Sequence, residues 1–347
     1  MPPIFWTQEQ DIGPARRVGH ASAYDAAAQR VIIFGGDPGG DPLGDTWAWD
    51  GNLWTQVADM GPSARHGAGL IDESSRQRQL LFGGAFGPDL LDDTWVYAGG
   101  AWTQVADTGP LARVNHAIAY DPARQRAVLF GGQAAGLFGD TWEWDGDQWT
   151  QVQDVGPAAR AGHAMAYDAA TSRVVLFGGW NLGASLNDTW AWNGTGWTQL
   201  ADTGPDPRAE AAMVGAGDGI VLFGGVSTVD PAAPPADRIV YADTWQLVGD
   251  DWTNLQDIGP SGRYGHTLVF RPQAGRATLF GGATVFAPAQ DPALANGLRR
   301  DTWEVPIAAT QPNPGGVTNP GGVTNPGGTT TPSGLVLVTN VGVQPNV

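Results

Sequence analysis

Six arginines occupy matching places along the 347-residue chain. They are Arg17, Arg65, Arg113, Arg160, Arg208 and Arg263, each shortly after a Gly-Pro pair. A guanidinium presents a planar fork of donors that suits a carboxylate. The chain supplies as many carboxylates in six Asp-Thr-Trp triplets, which begin at Asp45, Asp93, Asp140, Asp188, Asp243 and Asp301. Equal numbers point to a structural ring of ion pairs or loop caps. Three residues after four of the arginines come His20, His116, His163 and His266; Ala68 and Ala211 stand in the other two places. An incomplete histidine set is a poor metal cage, because ligand nitrogens must lie ~2 Å from a metal. Side-chain hydrogen bonds to a neighbouring unit are expected instead. Cysteine is absent, which removes thiol nucleophiles and thiolate metal sites. Spacing reveals no Ser/His/Asp grouping and no phosphate-cradling loop. No catalytic residue, cofactor or metal is expected, and the chain does not read as an enzyme.

The elements that hold these residues are repeats. Phe-Gly-Gly recurs with its Phe at 34, 82, 130, 177, 223 and 280, and Trp-Thr recurs at Trp6, Trp54, Trp102, Trp149, Trp197 and Trp252. Four independent markers agree on six units of about 48 residues. Each unit holds four strand-length runs, such as residues 116–120, 127–130, 141–144 and 149–152, separated by Gly, Pro and Asp turn signals. Gly 51 and Pro 26 argue against a helical protein. Four strands per unit make the blade of a β-propeller.

The Gly-Gly closing the second strand, the aromatic on the third and the Trp on the fourth resemble the kelch-repeat family over about residues 4–306. The resemblance implies an all-β, six-bladed β-propeller. The sixth unit stops after its third strand at Asp301-Thr-Trp-Glu-Val305, and Trp6-Thr-Gln matches a fourth strand. The ring is therefore expected to be closed by the N-terminal strand, residues 4–9 pairing with 301–305. Fifteen of the sixteen tryptophans occupy repeat positions and are expected between blades. Some kelch domains hold acidic peptides with arginines near the channel mouth, which the six-arginine ring permits here. The copper chemistry of galactose oxidase needs a Cys, and the iron site of plant specifier proteins needs Glu-x3-Asp-x3-His; this chain has neither. Kelch sugar mutarotases leave a carbohydrate-active enzyme as an alternative.

What one unit alone carries is the place to look for binding. Trp180 is the tryptophan outside the pattern. Long loops at 226–242 and 283–300 in the two last units bring Arg238, Tyr241, Phe286, Arg299 and Arg300 to one side. With Trp180, these are the candidate contacts for a glycan or peptide.

Residues 1–306 are thus read as the propeller, 307–333 as a low-complexity Asn-Pro-Gly-Gly-Val-Thr linker, and 334–347 as a C-terminal apolar β-strand tail. In that tail, Leu335, Val336, Leu337, Val338, Val341 and Val343 need a partner sheet. They are expected to dock on another copy, as a homo-oligomer or filament, or on another surface protein. Net charge −17 with no lysine disfavours nucleic acid. No apolar stretch is long enough for a transmembrane segment. The expected role is a non-catalytic, extracellular or cell-surface structural protein that self-assembles or anchors through this tail. Met1-Pro-Pro-Ile-Phe-Trp6 lacks the pattern of a signal peptide.

Overall fold

Within each unit the strands carry different residue patterns, and the patterns set how deep each strand lies. The computed structural model describes residues 5–307 except 11, 154, 183, 202, 228–237, 257–258 and 285–296. In the first blade, Ala21–Asp25, Arg30–Phe34, Thr46–Trp49 and Trp54–Ala58 form one antiparallel sheet in that order. The second strands are apolar on both faces. Arg30–Phe34, Arg126–Phe130 and Arg173–Phe177 each bury their last four residues. Such a run suits a strand covered by a neighbouring blade on either side, and each large apolar side chain buried there contributes about 1.5–3 kcal/mol. The fourth strands carry a Trp at or next to their start and continue polar. In Trp54–Ala58 the Trp is buried while Thr55 and Gln56 face water. They form the outer rim.

Six four-stranded sheets repeat this order. The first strand of every blade packs against the first strands of both neighbours, and Thr267–Arg271 of the sixth blade packs against Ala21–Asp25 of the first. The ring is closed around an axis lined by these strands. A short extra hairpin, Ala85–Phe86 with Asp89–Leu90, decorates the second blade.

The sixth sheet takes its outer strand from the other end of the chain. Thr7–Gln10 runs antiparallel to Thr302–Pro306, with Thr7 opposite Glu304 and Gln8 opposite Trp303. The register skips a residue between Gln8 and Gln10. The same skip separates Ala58 from Gln56 in the first blade and recurs in the second to fifth. The seam therefore repeats the bulged geometry of an ordinary blade.

Each blade-to-blade junction uses one device. The outer-strand Trp crosses to the preceding blade, donates its indole N–H to the Thr of Asp-Thr-Trp and packs on the Phe of Phe-Gly-Gly. Trp102 reaches Thr46 at 2.9 Å and Phe34 at 5.2 Å between ring centres. Trp54 reaches Thr302 at 2.8 Å and Phe280 at 4.8 Å. Trp6, the N-terminal contribution, reaches Thr244 at 3.2 Å and Phe223 at 5.1 Å. The Gly of each Gly-Pro makes room for this ring: a Cβ at Gly259 would lie 2.6 Å from Trp6 Cδ1, and one at Gly61 2.5 Å from Trp102 Cδ1.

Candidate functional site

The arginine ring is internal. Arg113 is fully buried; its Nη1 and Nη2 donate to Asp140 Oδ1 and Oδ2 at 2.7 and 2.9 Å. Its Nη1 also donates to the Gly131 carbonyl, and its Nε to that of Leu111. Arg17, Arg65, Arg160, Arg208 and Arg263 clamp Asp45, Asp93, Asp188, Asp243 and Asp301 in the same way. The second oxygen of each Asp also accepts the indole N–H of the Trp two residues on, as Asp140 does from Trp142. Burial alone would raise these carboxyls. The hydrogen bonds and charge of the arginine, with the indole, outweigh it and hold all six below the usual aspartate range. With their forks engaged inside their own blades, these guanidiniums are clamps between the first and third strands.

The histidines lie just inside the arginines and are buried. A side-chain hydrogen bond to the neighbouring blade is made at His20, whose Nε2 sits 2.8 Å from Thr267 Oγ1. At all four positions the ring also packs on an aromatic of that blade. His116, His163 and His266 set an edge against Phe82, Phe130 and Phe223 of the preceding blade, and His20 does so against Phe280. Desolvation first, then the nearby arginine, pushes His116 and His266 down to about 3 and holds His20 and His163 well below the usual value. These are neutral packing rings. Among the described residues no cluster of three or more His, Cys, Asp or Glu is placed to hold a metal.

Between the arginines and the histidines runs a belt. Gly19, Gly67, Asn115, Gly162, Glu210 and Gly265 each donate their amide to the carbonyl of the matching residue one blade back, at 2.7–3.0 Å, and Gly19 completes the circle on Gly265. All six have positive φ, between 53 and 63°. Four are glycine, the residue that adopts this conformation freely. Asn tolerates it, and a glutamate there costs about 1–2 kcal/mol. The belt consumes the backbone polar groups tangentially and frames an opening of about 130 Å³.

Asn115 and Glu210 are thus the two belt members with side chains. Asn115 leans over Gly67, where a Cβ would meet its Oδ1 at 2.5 Å. Trp180 and Glu210 converge over Gly162, whose Cβ would lie 3.1 Å from Trp180 Nε1 and 3.4 Å from Glu210 Cγ. Glu210 extends toward the sixth blade, its Oε2 3.4 Å from the Cβ position of Gly265. Glu210 is half-buried and lines the opening. Desolvation pushes its carboxyl up to about 7, against the lowering pull of Arg238.

Of the residues singled out from the sequence, Trp180 stands at this mouth and Arg238 acts on it electrostatically. The Trp180 backbone is paired with Ala161 and Ser185. Tyr241 belongs to the clamp system: its ring lies 3.8 Å beneath the Arg208 guanidinium, and its carbonyl accepts the Arg263 amide. Arg299 fills the equivalent place, its carbonyl accepting the Arg17 amide. Arg300 is exposed next to it. Phe286 lies outside the described residues, as do Leu335, Val336, Leu337, Val338, Val341 and Val343. Glu210 and Asn115 were missed. The signal was a column of glycines two residues after each clamp arginine, broken in two units.

Residues 99–282, more than half of the chain, match the family model described as the KLHDC2/KLHL20/DRC7 Kelch-repeats domain. The chain belongs to the kelch-repeat family. The match runs from the outer strand of the second blade to the Phe-Gly-Gly of the sixth, so it takes in Trp180, Glu210 and Asn115. No curated protein matches the chain. Among the described residues of this kelch propeller, no helix is long and apolar enough to cross a membrane.

Proposed function

We propose that this kelch propeller is a non-catalytic protein-interaction module that takes up a segment of a partner protein at the belt mouth. Glu210 accepts the partner's donors and Trp180 supplies the flat apolar wall. One observation carries the reading: a glutamate is kept in a left-handed conformation where four of the six blades use glycine. Strain of that kind, with a carboxyl drawn out of bulk water, is tolerated where it serves binding. A basic or amide-rich segment is the complementary partner.

Peptide display on the immobilised protein tests this. Selected peptides should lose at least about tenfold in affinity on Glu210→Gly or Trp180→Ala, in line with hot-spot behaviour. The same Glu210→Gly change should raise the melting temperature, because it relieves the backbone and removes a desolvated carboxyl. Peptides that bind both variants as tightly as wild type would sink the reading. A glycan array run in parallel addresses a sugar ligand at the same mouth.

A second reading rests on the sequence of the C-terminal segment. The β-branched run from Leu335 to Val343 supports docking of this tail on a neighbouring copy or another surface protein. Light scattering of the full chain and of a 307–347 deletion decides it: equal masses for the two proteins, each a monomer, remove it. The lysine-free acidic exterior and the Pro/Gly/Thr linker support an extracellular or cell-surface setting, which fractionation of the native host would test.

A further inference from the structure

Five residues of inner strand, at about 3.3 Å each, separate the belt from the opposite end of the channel. There the channel widens into a cavity of about 590 Å³, a size typical of small-molecule sites at roughly 300–1,000 Å³. The fourth residue of each inner strand sets the character of this mouth: Tyr24, Asp72, Tyr120, Tyr167, Gly215 and Phe270 in blade order. Four are aromatic. The hydroxyl of Tyr24 bonds Gln273 and that of Tyr120 bonds Ser75, so both phenols have polar partners at the rim. Farther in, Leu70, Ile118, Met165, Met213 and Leu268 form an apolar collar.

Asp72 is the exception in this wall. Its neighbouring carboxylates have arginines: Asp25 pairs with Arg30 at 3.1 Å, and Glu73 with Arg78 at 2.6 Å and Arg76 at 3.3 Å. Asp72 receives the Gln79 amide at 3.2 Å, and among the described residues no arginine lies within ion-pair distance of it. The charges of Asp25 and Glu73 oppose its ionisation, and Tyr24 interacts with both it and Arg271. Burial chiefly, then those two acids, raises its carboxyl to about 7 despite the Gln79 bond.

We propose that this cavity binds amphipathic alkylammonium compounds, with the cation at Asp72 among the aromatic rings and the hydrocarbon chain in the collar. Ring faces attract a desolvated cation through their quadrupoles. The carboxylate supplies the countercharge that the protein itself withholds. An anion is repelled by Asp72, the carboxylate in this lining. A neutral chain of the same length leaves Asp72 desolvated and uncompensated. The site lies on the face opposite the belt mouth and stands or falls apart from it.

Calorimetry on the full chain provides the test, with octyltrimethylammonium, 1-octanol and octanoate as probes. The ammonium should bind at one site at pH 8, with the alcohol and the carboxylate at least about tenfold weaker. Affinity should fall as pH drops from 8 to 5.5, because Asp72 loses its charge on the way through about 7. Asp72→Asn should abolish the preference for the cation, whereas Glu210→Gln should leave it intact. Tyr167→Leu keeps the carboxylate and removes one ring; it should weaken binding roughly three- to tenfold. Equal binding of octanol, or a cation preference that survives in Asp72→Asn, overturns the proposal.

Discussion

Arg113 and Asp140 show why this fold uses arginine where lysine also carries the charge. Three guanidinium nitrogens satisfy two carboxylate oxygens and two carbonyls at once, and an ammonium cannot span that set. Arg113→Lys should cost about 2–3 kcal/mol, because a buried carboxylate and carbonyl lose their donors. Chemical denaturation would show it as a lower midpoint with an unchanged slope. The histidines make the fold sensitive to acid. Their folded-state pKa values are depressed, so the stability present above the unfolded value of about 6.5 is lost as pH falls toward the folded value, about 3 for His116 and His266. Each contributes up to about 1.4 kcal/mol per pH unit in that window. Glu210 and Asp72 act oppositely: raised to about 7, they favour the folded state as pH falls from 7 toward 4. With His66, lowered by burial as well, five histidines outnumber two acids, so stability should decline from pH 6.5 to 4.5. His163→Ala should flatten that decline, since Ala68 and Ala211 already occupy the position in two blades. An unchanged pH slope in this variant would contradict the neutral-histidine assignment.

At the scale of strands, the count of six, the four-strand unit and the N-terminal Trp-Thr were legible because turn residues and tryptophans recur in phase. The radial depth of each strand was legible too, in the apolar run Ala127-Val-Leu-Phe130 and the polar remainder of Trp149-Thr-Gln. What was not legible is the belt. Backbone-to-backbone hydrogen bonds between blades leave no side-chain signature except glycine. The opposite mouth leaves only a small mark in the sequence: Tyr24, Tyr120 and Tyr167 recur at one strand position, and Asp72 stands there in the second blade. Trp6→Ala removes both the Thr244 bond and the Phe223 contact. It should destabilise the protein by roughly 2–4 kcal/mol, as truncation of a packed aromatic does. Trp102→Ala, at an internal junction, should cost a similar amount. A much smaller loss for Trp6→Ala in thermal melts would mean that the seam is weaker than the other junctions.

For the whole molecule, a closed circle couples every blade to both neighbours, so unfolding should occur in one transition. The charge of −17 is carried entirely within residues 1–306, and self-repulsion opposes compaction. Raising ionic strength from about 0.02 to 0.3 M, which shortens the screening length severalfold, should therefore raise the melting temperature. Thr7–Gln10 is an integral strand of the sixth blade. Hydrogen–deuterium exchange followed by peptide mass spectrometry tests it most directly. A closed ring predicts that residues 5–10 exchange as slowly as the outer strand Trp54–Ala58, and that both are released together near the global unfolding transition. Complete exchange of residues 5–10 within seconds, with Trp54–Ala58 still protected, would contradict it.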